Sequence, residues 1–464
     1  MFDYQLDRSA GEPAFRQLYR RIAAAVLSGT LAEGARLPSA RSLASQLGIA
    51  RGTVEAAYGQ LAGEGYIQGR GAAGTFVAAV AGAVPSAPVS PLSVPRAWAQ
   101  AEAPVVFRMG LPALDLFPRK LWSRLAARQA HGLSPSALQM PDPAGIPALR
   151  QEIARYLAVA RGIDVPPEQV IVTAGFQGAL GLLARALDLA GQPVWVEEPG
   201  YFLARHGLVA AGARLVHVPV DGEGLDVAAG VALAPDARLA LVSPSHHAPL
   251  GMALSLPRRL QLLDWAAKHG AWIVEDDYDG EFRYVGRPLP PLKSLDRAER
   301  VLYVGTFSKT LFPGLRLGYL VAPTSLTGRL AETATMLAPM PAADSQATLA
   351  AFLAEGHFGR HIRRMRQRYA QRRTALARAL EREFGAAAVA LGAGGMHALL
   401  RLGDGADDEA AAAACLAAGL APSTLSIAYA GSAKCQGLLL SFTNLPVEQA
   451  PAMVERLARI LAAV

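Results

Sequence analysis

Residues 301–320 read VLYVGTFSKTLFPGLRLGYL. An apolar, strand-like run delivers one lysine, Lys309, between the hydroxyl residues Ser308 and Thr310, and the chain then turns through Pro313 and Gly314 toward Arg316. A lysine left on the surface needs no such setting. At the end of a buried strand its ammonium loses hydration, which lowers its pKa and frees the amine for attack on a carbonyl.

Outward from this stretch the same pattern repeats. VIVTAG (170–175), PVWVEEPGY (193–201), RLALVSPS (238–245) and AWIVEDDYD (271–279) are apolar runs that end in polar or glycine-rich residues, with helical stretches such as LPRRLQLLDWAAKHG (256–270) between them. Alternation of this kind predicts a mostly parallel sheet covered on both faces. Ligands of such sheets gather beyond the carboxyl ends of the strands, where these polar residues accumulate.

A Schiff-base lysine working with pyridoxal phosphate needs four kinds of neighbour, and each has a candidate. Asp276 ends a strand and would keep the pyridine nitrogen protonated. Tyr278 is placed to donate to the ring oxygen, and Tyr201 in EEPGY to stack on the ring. The turn TAGFQGAL joins a strand to a helix, so backbone N–H groups at Gly175, Phe176 and Gln177 would cradle phosphate. Thr306, Ser308 and Arg316 add hydroxyl and guanidinium contacts. Taken singly, EDDYD also reads as a strand end carrying solvated acids, and Tyr201 as ordinary packing.

The N-terminal part has a different character. Phe15, Leu18, Tyr19, Ile22 and Val26 share one helical face, and a second helix should start at the N-cap Ser39 and turn at Gly48. A third, RGTVEAAYGQLAGEG, turns Val54, Ala57, Tyr58 and Leu61 inward. YIQGRGAAGTFVA then reads as two strands with a glycine-rich tip, which completes a winged helix-turn-helix. Candidate DNA contacts are Ser39 and Arg41 on the second helix, Arg51 and Thr53 on the third, and Arg70 at the wing. For any one arginine, a solvated surface role is the alternative. The predicted domains are 1–78, a Pro- and Ala-rich linker at 79–104, and 105–464, with a large subdomain to about 355 and a long helix and small α+β subdomain after it. The arginines from Arg360 to Arg373 spread around several faces, which favours a solvated linking helix over a second DNA surface.

Bulk properties agree with a large buried body. The chain has 464 residues, 52% hydrophobic and 18% charged, with a net charge of +7 that suits a polyanionic partner. Its two cysteines, Cys415 and Cys435, form no CxxC pair, so no metal site is expected and a reducing cytoplasm fits. No signal peptide and no membrane span are read from the sequence.

GTFSKTLFPGLRLGY, EDDYDGEFRY, PGYF, TAGFQGAL and GLPALDLFP together resemble the fold-type I, aminotransferase-like domain of MocR-type (GabR-like) bacterial regulators. LPSARSLASQLGIARGTVEAAYGQLAGEGYI is similar to the GntR-type winged helix that precedes that domain in the same family. The resemblance implies that Lys309 carries pyridoxal phosphate, that Asp276 partners the pyridinium and that Tyr278 binds the ring oxygen. It also implies a head-to-tail homodimer acting on a double-stranded operator. Two positions depart from the family: Ala50 stands where serine is usual and Gly52 where asparagine is usual, which removes a helix cap and a DNA contact.

Two classes of function compete. One is a transcription regulator whose aminotransferase-like domain senses pyridoxal phosphate or an amine effector, with vitamin B6 or amine metabolism genes as targets. The other is a working aminotransferase carrying an accessory DNA-binding domain. The N-terminal module favours the regulator. So does GLLLSFTN (437–444), where the resemblance implies an arginine that clamps a substrate carboxylate and this chain has Leu439.

Overall fold

A computed structural model describes residues 4, 6–7, 11–79, 106–286, 290–337, 341–403, 405–431 and 435–464. Nearly all of the expected linker lies outside the described residues. The chain divides into two compact units, Met1–Ala99 and Gln100–Val464.

In the smaller unit, helix α1 (Ala14–Leu27) leads to a short strand β1 (Arg36–Leu37), helices α2 (Ala40–Leu47) and α3 (Arg51–Gly63), and strands β2 (Ile67–Gly69) and β3 (Thr75–Val77). The amphipathic spacing of these helices buries Leu18, Ile22, Leu43, Val54 and Leu61 completely, each contributing roughly 1.5–3 kcal/mol. Ser39 caps α2 by accepting from the Ser42 N–H at 3.1 Å, and Gly48 ends it in the left-handed conformation. β1 pairs with β3 beside the β2–β3 hairpin. That third strand, only two residues long, was not evident in the sequence.

The larger unit contains an eight-stranded sheet in the order β4-β11-β10-β9-β8-β5-β6-β7. Its strands are β4 (Val170–Thr173), β5 (Pro193–Glu198), β6 (Arg214–Asp221), β7 (Gly224–Leu225), β8 (Leu239–Val242), β9 (Trp272–Asp277), β10 (Val301–Thr306) and β11 (Gly318–Val321). β6, β5, β8, β9 and β10 run parallel, and β11 lies antiparallel between β10 and β4. The mostly parallel expectation holds, but β6, β7 and β11 were missed. β11 follows β10 through the loop 307–317, which carries Lys309, instead of a crossover α-helix, so no long helical stretch announces it.

The helix His357–Phe384 spans 28 residues, about 42 Å at 1.5 Å per residue. Its arginines do not all face solvent, which corrects the solvated reading. Arg363, Arg364 and Arg368 are exposed, whereas Arg372 is buried and reaches the Thr443 carbonyl and Asp115, and Arg373 donates to the Gly392 carbonyl at 2.8 Å. These inward guanidiniums tie the helix to neighbouring segments. Beyond it, β12 (Val389–Ala390), β13 (His397–Arg401), β14 (Ser423–Thr424) and β15 (Gly437–Ser441) form a four-stranded antiparallel sheet in the order β12-β13-β15-β14. Among the described residues no helix is long and apolar enough to cross a membrane.

Candidate functional site

The parallel strands deliver their carboxyl ends to one edge of the sheet, and the residues picked out around Lys309 meet there. β9 and β10 pair so that Val304 opposes Asp276. β10, β11 and β4 align Thr306, Gly318 and Thr173 in one row. A side chain at Gly318 would come within 2.9 Å of the Gly175 Cα. Glycine at 318 therefore lets the N-terminus of the helix Gly175–Ala186 close against the strand ends.

Lys309 donates from Nζ to the Gly110 carbonyl at 3.1 Å. Burial lowers its pKa, against the raising pull of Asp276 and Asp279, and Arg316 lowers it further. Gly110 has φ of +79°, and a Cβ there would stand 2.6 Å from Nζ. It is a site residue that sequence reasoning passed over, although it opens the quoted segment GLPALDLFP.

Glu275, Asp276 and Asp277 are all buried, so EDD is not a solvated strand end. Alternation along β9 separates their roles. Glu275 accepts from the Leu292 and Lys293 N–H groups at 2.8 Å, and Asp277 takes Arg161 and Tyr303. The Asp276 side chain makes no hydrogen bond among the described residues. Burial first, then Asp279 and Glu197, push its pKa well above the usual carboxylate range, opposed by Lys309. A buried carboxylate in this state calls for a cationic hydrogen-bond donor, which a protonated pyridine nitrogen would supply.

Tyr278 stays a phenol, its pKa raised by burial and by Asp279 and Asp276. His246 Nδ1 lies 2.9 Å from its hydroxyl and 3.1 Å from Asp279 Oδ2. A carboxylate only accepts, so that nitrogen carries the proton, and the Tyr278 hydrogen stays available to a ligand. His246 was not among the sequence candidates.

The helix Gly175–Ala186 has no side-chain cap at Ala174, so the N–H groups of Gly175, Phe176 and Gln177 lack intrahelical acceptors. Arg316 crosses this end, donating to the Ala174 carbonyl at 3.1 Å. Uncapped N–H groups beside a guanidinium make an anion cradle suited to phosphate. The Gln177 side chain turns away to the Leu203 carbonyl, leaving only its backbone for this role. Tyr201 packs tilted on Phe176, with ring centroids 5.9 Å apart, and senses both Asp276 and Arg316 in its pKa, pushed up to about 12 chiefly by burial. Thr306 Oγ1 accepts from the Ser308 N–H at 3.1 Å, bracing the turn that carries Lys309.

Leu439 sits in β15 opposite Leu399 and Ser423. It is buried in an apolar cluster with Leu399 and Leu425, against which Met109, Leu250 and Tyr429 pack. Met109 directly precedes Gly110, so this cluster adjoins the lysine. Its buried leucines offer no partner to a carboxylate.

In the smaller unit Arg41, Arg51 and Arg70 are exposed. Arg51 Nε holds Glu55 at 2.8 Å on the same helix, a surface pair of small net worth. Thr53 is half-buried, and its N–H donates to the Ala50 carbonyl, while α3 has no side-chain cap at Ala50. Arg70 stacks 5.0 Å from the centre of the Phe76 ring. Arg36 lies against Gly74 at the same wing and was overlooked in the sequence.

Comparison with known proteins matches residues 15–77 to "Bacterial regulatory proteins, gntR family" and residues 117–429 to "Aminotransferase class I and II". The chain is similar to a probable rhizopine catabolism regulatory protein, MocR, of Rhizobium meliloti, at 41% identity over 79% of this chain and 77% of that protein. It is similar to the HTH-type pyridoxine biosynthesis transcriptional regulator PdxR of Corynebacterium glutamicum, at 38% identity over 77% of each. Among solved structures it resembles LysN, an alpha-aminoadipate aminotransferase from Thermus thermophilus, with a TM-score of 0.72 and 29% identity over 80% of this chain and 95% of that one.

Proposed function

Because this chain belongs to the MocR-type, GntR-family helix-turn-helix transcriptional regulators, we propose that it controls operator binding through pyridoxal phosphate held at Lys309. The observation that carries this reading is the meeting of an amine of lowered pKa, a buried carboxylate without a protein partner and an uncapped helix end beside Arg316. When bound, pyridoxal phosphate supplies a reactive aldehyde and an electron-withdrawing ring. Lys309 would attach it, Asp276 would hold the ring nitrogen, Tyr278 would donate to the ring oxygen, Tyr201 would stack, and Gly175, Phe176, Gln177, Thr306, Ser308 and Arg316 would surround the phosphate.

The effector is then pyridoxal phosphate itself or an amine without an α-carboxylate. Support comes from Leu439, since a carboxylate set against the Leu399–Leu425–Leu439 cluster would lose hydration and gain no partner. The similarity to a pyridoxine biosynthesis regulator and to a rhizopine catabolism regulator fits both forms of effector. The working unit is a head-to-tail homodimer, with Ser39, Arg41, Arg51, Thr53 and Arg70 toward duplex DNA. The same apolar cluster weighs against an efficient amino-acid aminotransferase.

The test is operator binding by the cofactor-free protein, the loaded protein, and the loaded protein titrated with amines. A change at the first step assigns direct vitamin sensing, and a change only at the second assigns an amine effector. Rapid, stoichiometric conversion of common α-amino acids to keto acids would restore the aminotransferase.

A further inference from the structure

The segment EDDYDGEFRY contains an arginine that the Lys309 cleft does not use. The Arg283 guanidinium makes no hydrogen bond or ion pair among the described residues, and its Nε is buried without a partner. It lines a cavity of 420 Å³ between the loop 245–253 and the segment 390–394 that leads into the small sheet. Leu250, Met252, Ala253, Ala390, Leu391 and Ala393 give this cavity apolar walls, and Arg283 is its charged lining residue.

The walls are fixed by the backbone. Tyr284 N–H donates to the Ala393 carbonyl at 3.0 Å and Gly395 N–H to the Phe282 carbonyl at 2.7 Å. Ser245, Arg283 and Gly394 also border a narrower recess that holds Arg161, His246 and Asp279. There the other charges are committed, Arg161 to Asp277 and Asp279 to His246. Arg283 is left as the uncommitted charge of both spaces.

One guanidinium presents two parallel N–H donors, which match a single carboxylate. A phosphate dianion would leave charge uncompensated among these walls, whereas a hydrocarbon body gains from them. We propose that this cavity binds a small monocarboxylic acid with a compact apolar body, its carboxylate on Arg283, at a site separate from the Lys309 cleft. His246 borders the shared recess and touches Tyr278, so the acid is a second chemical input adjoining the first.

The test is calorimetric titration of the full-length chain with isovalerate and with benzoate. Isovaleramide serves as the uncharged isostere and inorganic phosphate as the polar anion. Saturable binding of either acid is expected, at least tenfold weaker for isovaleramide and for phosphate. Arg283→Gln should weaken it at least tenfold. Ala393→Phe, which keeps the charge but fills the cavity from the segment 390–394, should do the same and decides the matter if Arg283→Gln fails to fold. Lys309→Ala should bind the acid as the parent does, which separates this site from the cofactor reading. Absence of saturable binding, binding that survives Ala393→Phe, phosphate binding as tight as the acid, or loss with Lys309→Ala would each overturn the proposal.

Discussion

In the winged-helix unit the arginines suited to DNA stand in water, whereas in the larger unit Glu275, Asp276 and Asp277 at the end of β9, and Asp279 just beyond it, are almost fully buried. Among the described residues of the smaller unit, Gln17 is the one buried polar side chain. Exposed charges act by adding contacts one at a time. Buried charges depend on one another, so the larger unit works as a constellation in which one loss disables the set. Changes at its strand ends should therefore be large and pH-linked, and changes on the winged helix graded.

The sharpest break comes from Lys309→Ala. Borohydride reduction of the parent protein incubated with pyridoxal phosphate should fix the cofactor on the peptide carrying Lys309, read by mass spectrometry. The variant should trap none there. Trapping at another lysine in both proteins would end the assignment.

The next effect concerns Glu197. Burial pushes its pKa up to about 7 despite hydrogen bonds from Ser243. The folded chain thus holds this proton more tightly than the unfolded one, so stability falls as pH climbs from about 4.5 to about 7 and is level above that. His247 and His397 act the other way. Burial lowers them to about 3 and about 4, so they stay neutral and their contribution is lost as pH falls below about 6.5. The 3.7 Å contact of His247 with Glu197 is accordingly no ion pair. Glu197→Gln should remove a cost on the order of 2–3 kcal/mol at neutral pH and move the stability optimum upward. Tryptophan fluorescence reports this for the larger unit, since residues 1–78 contain no tryptophan. An unchanged pH profile would show that the buried acids are not coupled to folding as argued.

On the winged helix, Arg51→Ala should cost ~1–3 kcal/mol of operator binding and relax specificity at one position. Equal loss on random DNA would reduce Arg51 to a phosphate contact. Smallest is Ser39→Ala, which removes the α2 cap and should lower the stability of the smaller unit by ~1 kcal/mol, measured by thermal melting.

Much of this contrast was legible in the sequence because each strand ends where its polar residues begin. Lys309, Asp276, Tyr278, Tyr201 and Arg316 stood out as polar residues placed after apolar runs. His246 did not, since SPSHHAPLG carries no periodic signal and its role arises from Asp279 and Tyr278 across the fold. Gly110 was hidden for a similar reason: its function is an absent side chain and a backbone carbonyl. β11 was lost because four residues after the loop 307–317 look like the end of that loop. The inward arginines of the helix His357–Phe384 were missed because their acceptors are carbonyls and a carboxylate distant in sequence.

Whether cofactor at Lys309 governs DNA binding is read by fluorescence anisotropy of a labelled operator. Parent protein stripped of pyridoxal phosphate, the same protein reloaded, and Lys309→Ala exposed to the same cofactor are compared at one salt concentration. Reloading should change operator affinity in the parent, alone or once an amine is added, and Lys309→Ala should stay at the stripped level throughout. Identical responses from the parent and Lys309→Ala, or none from the parent under any loading, would contradict it.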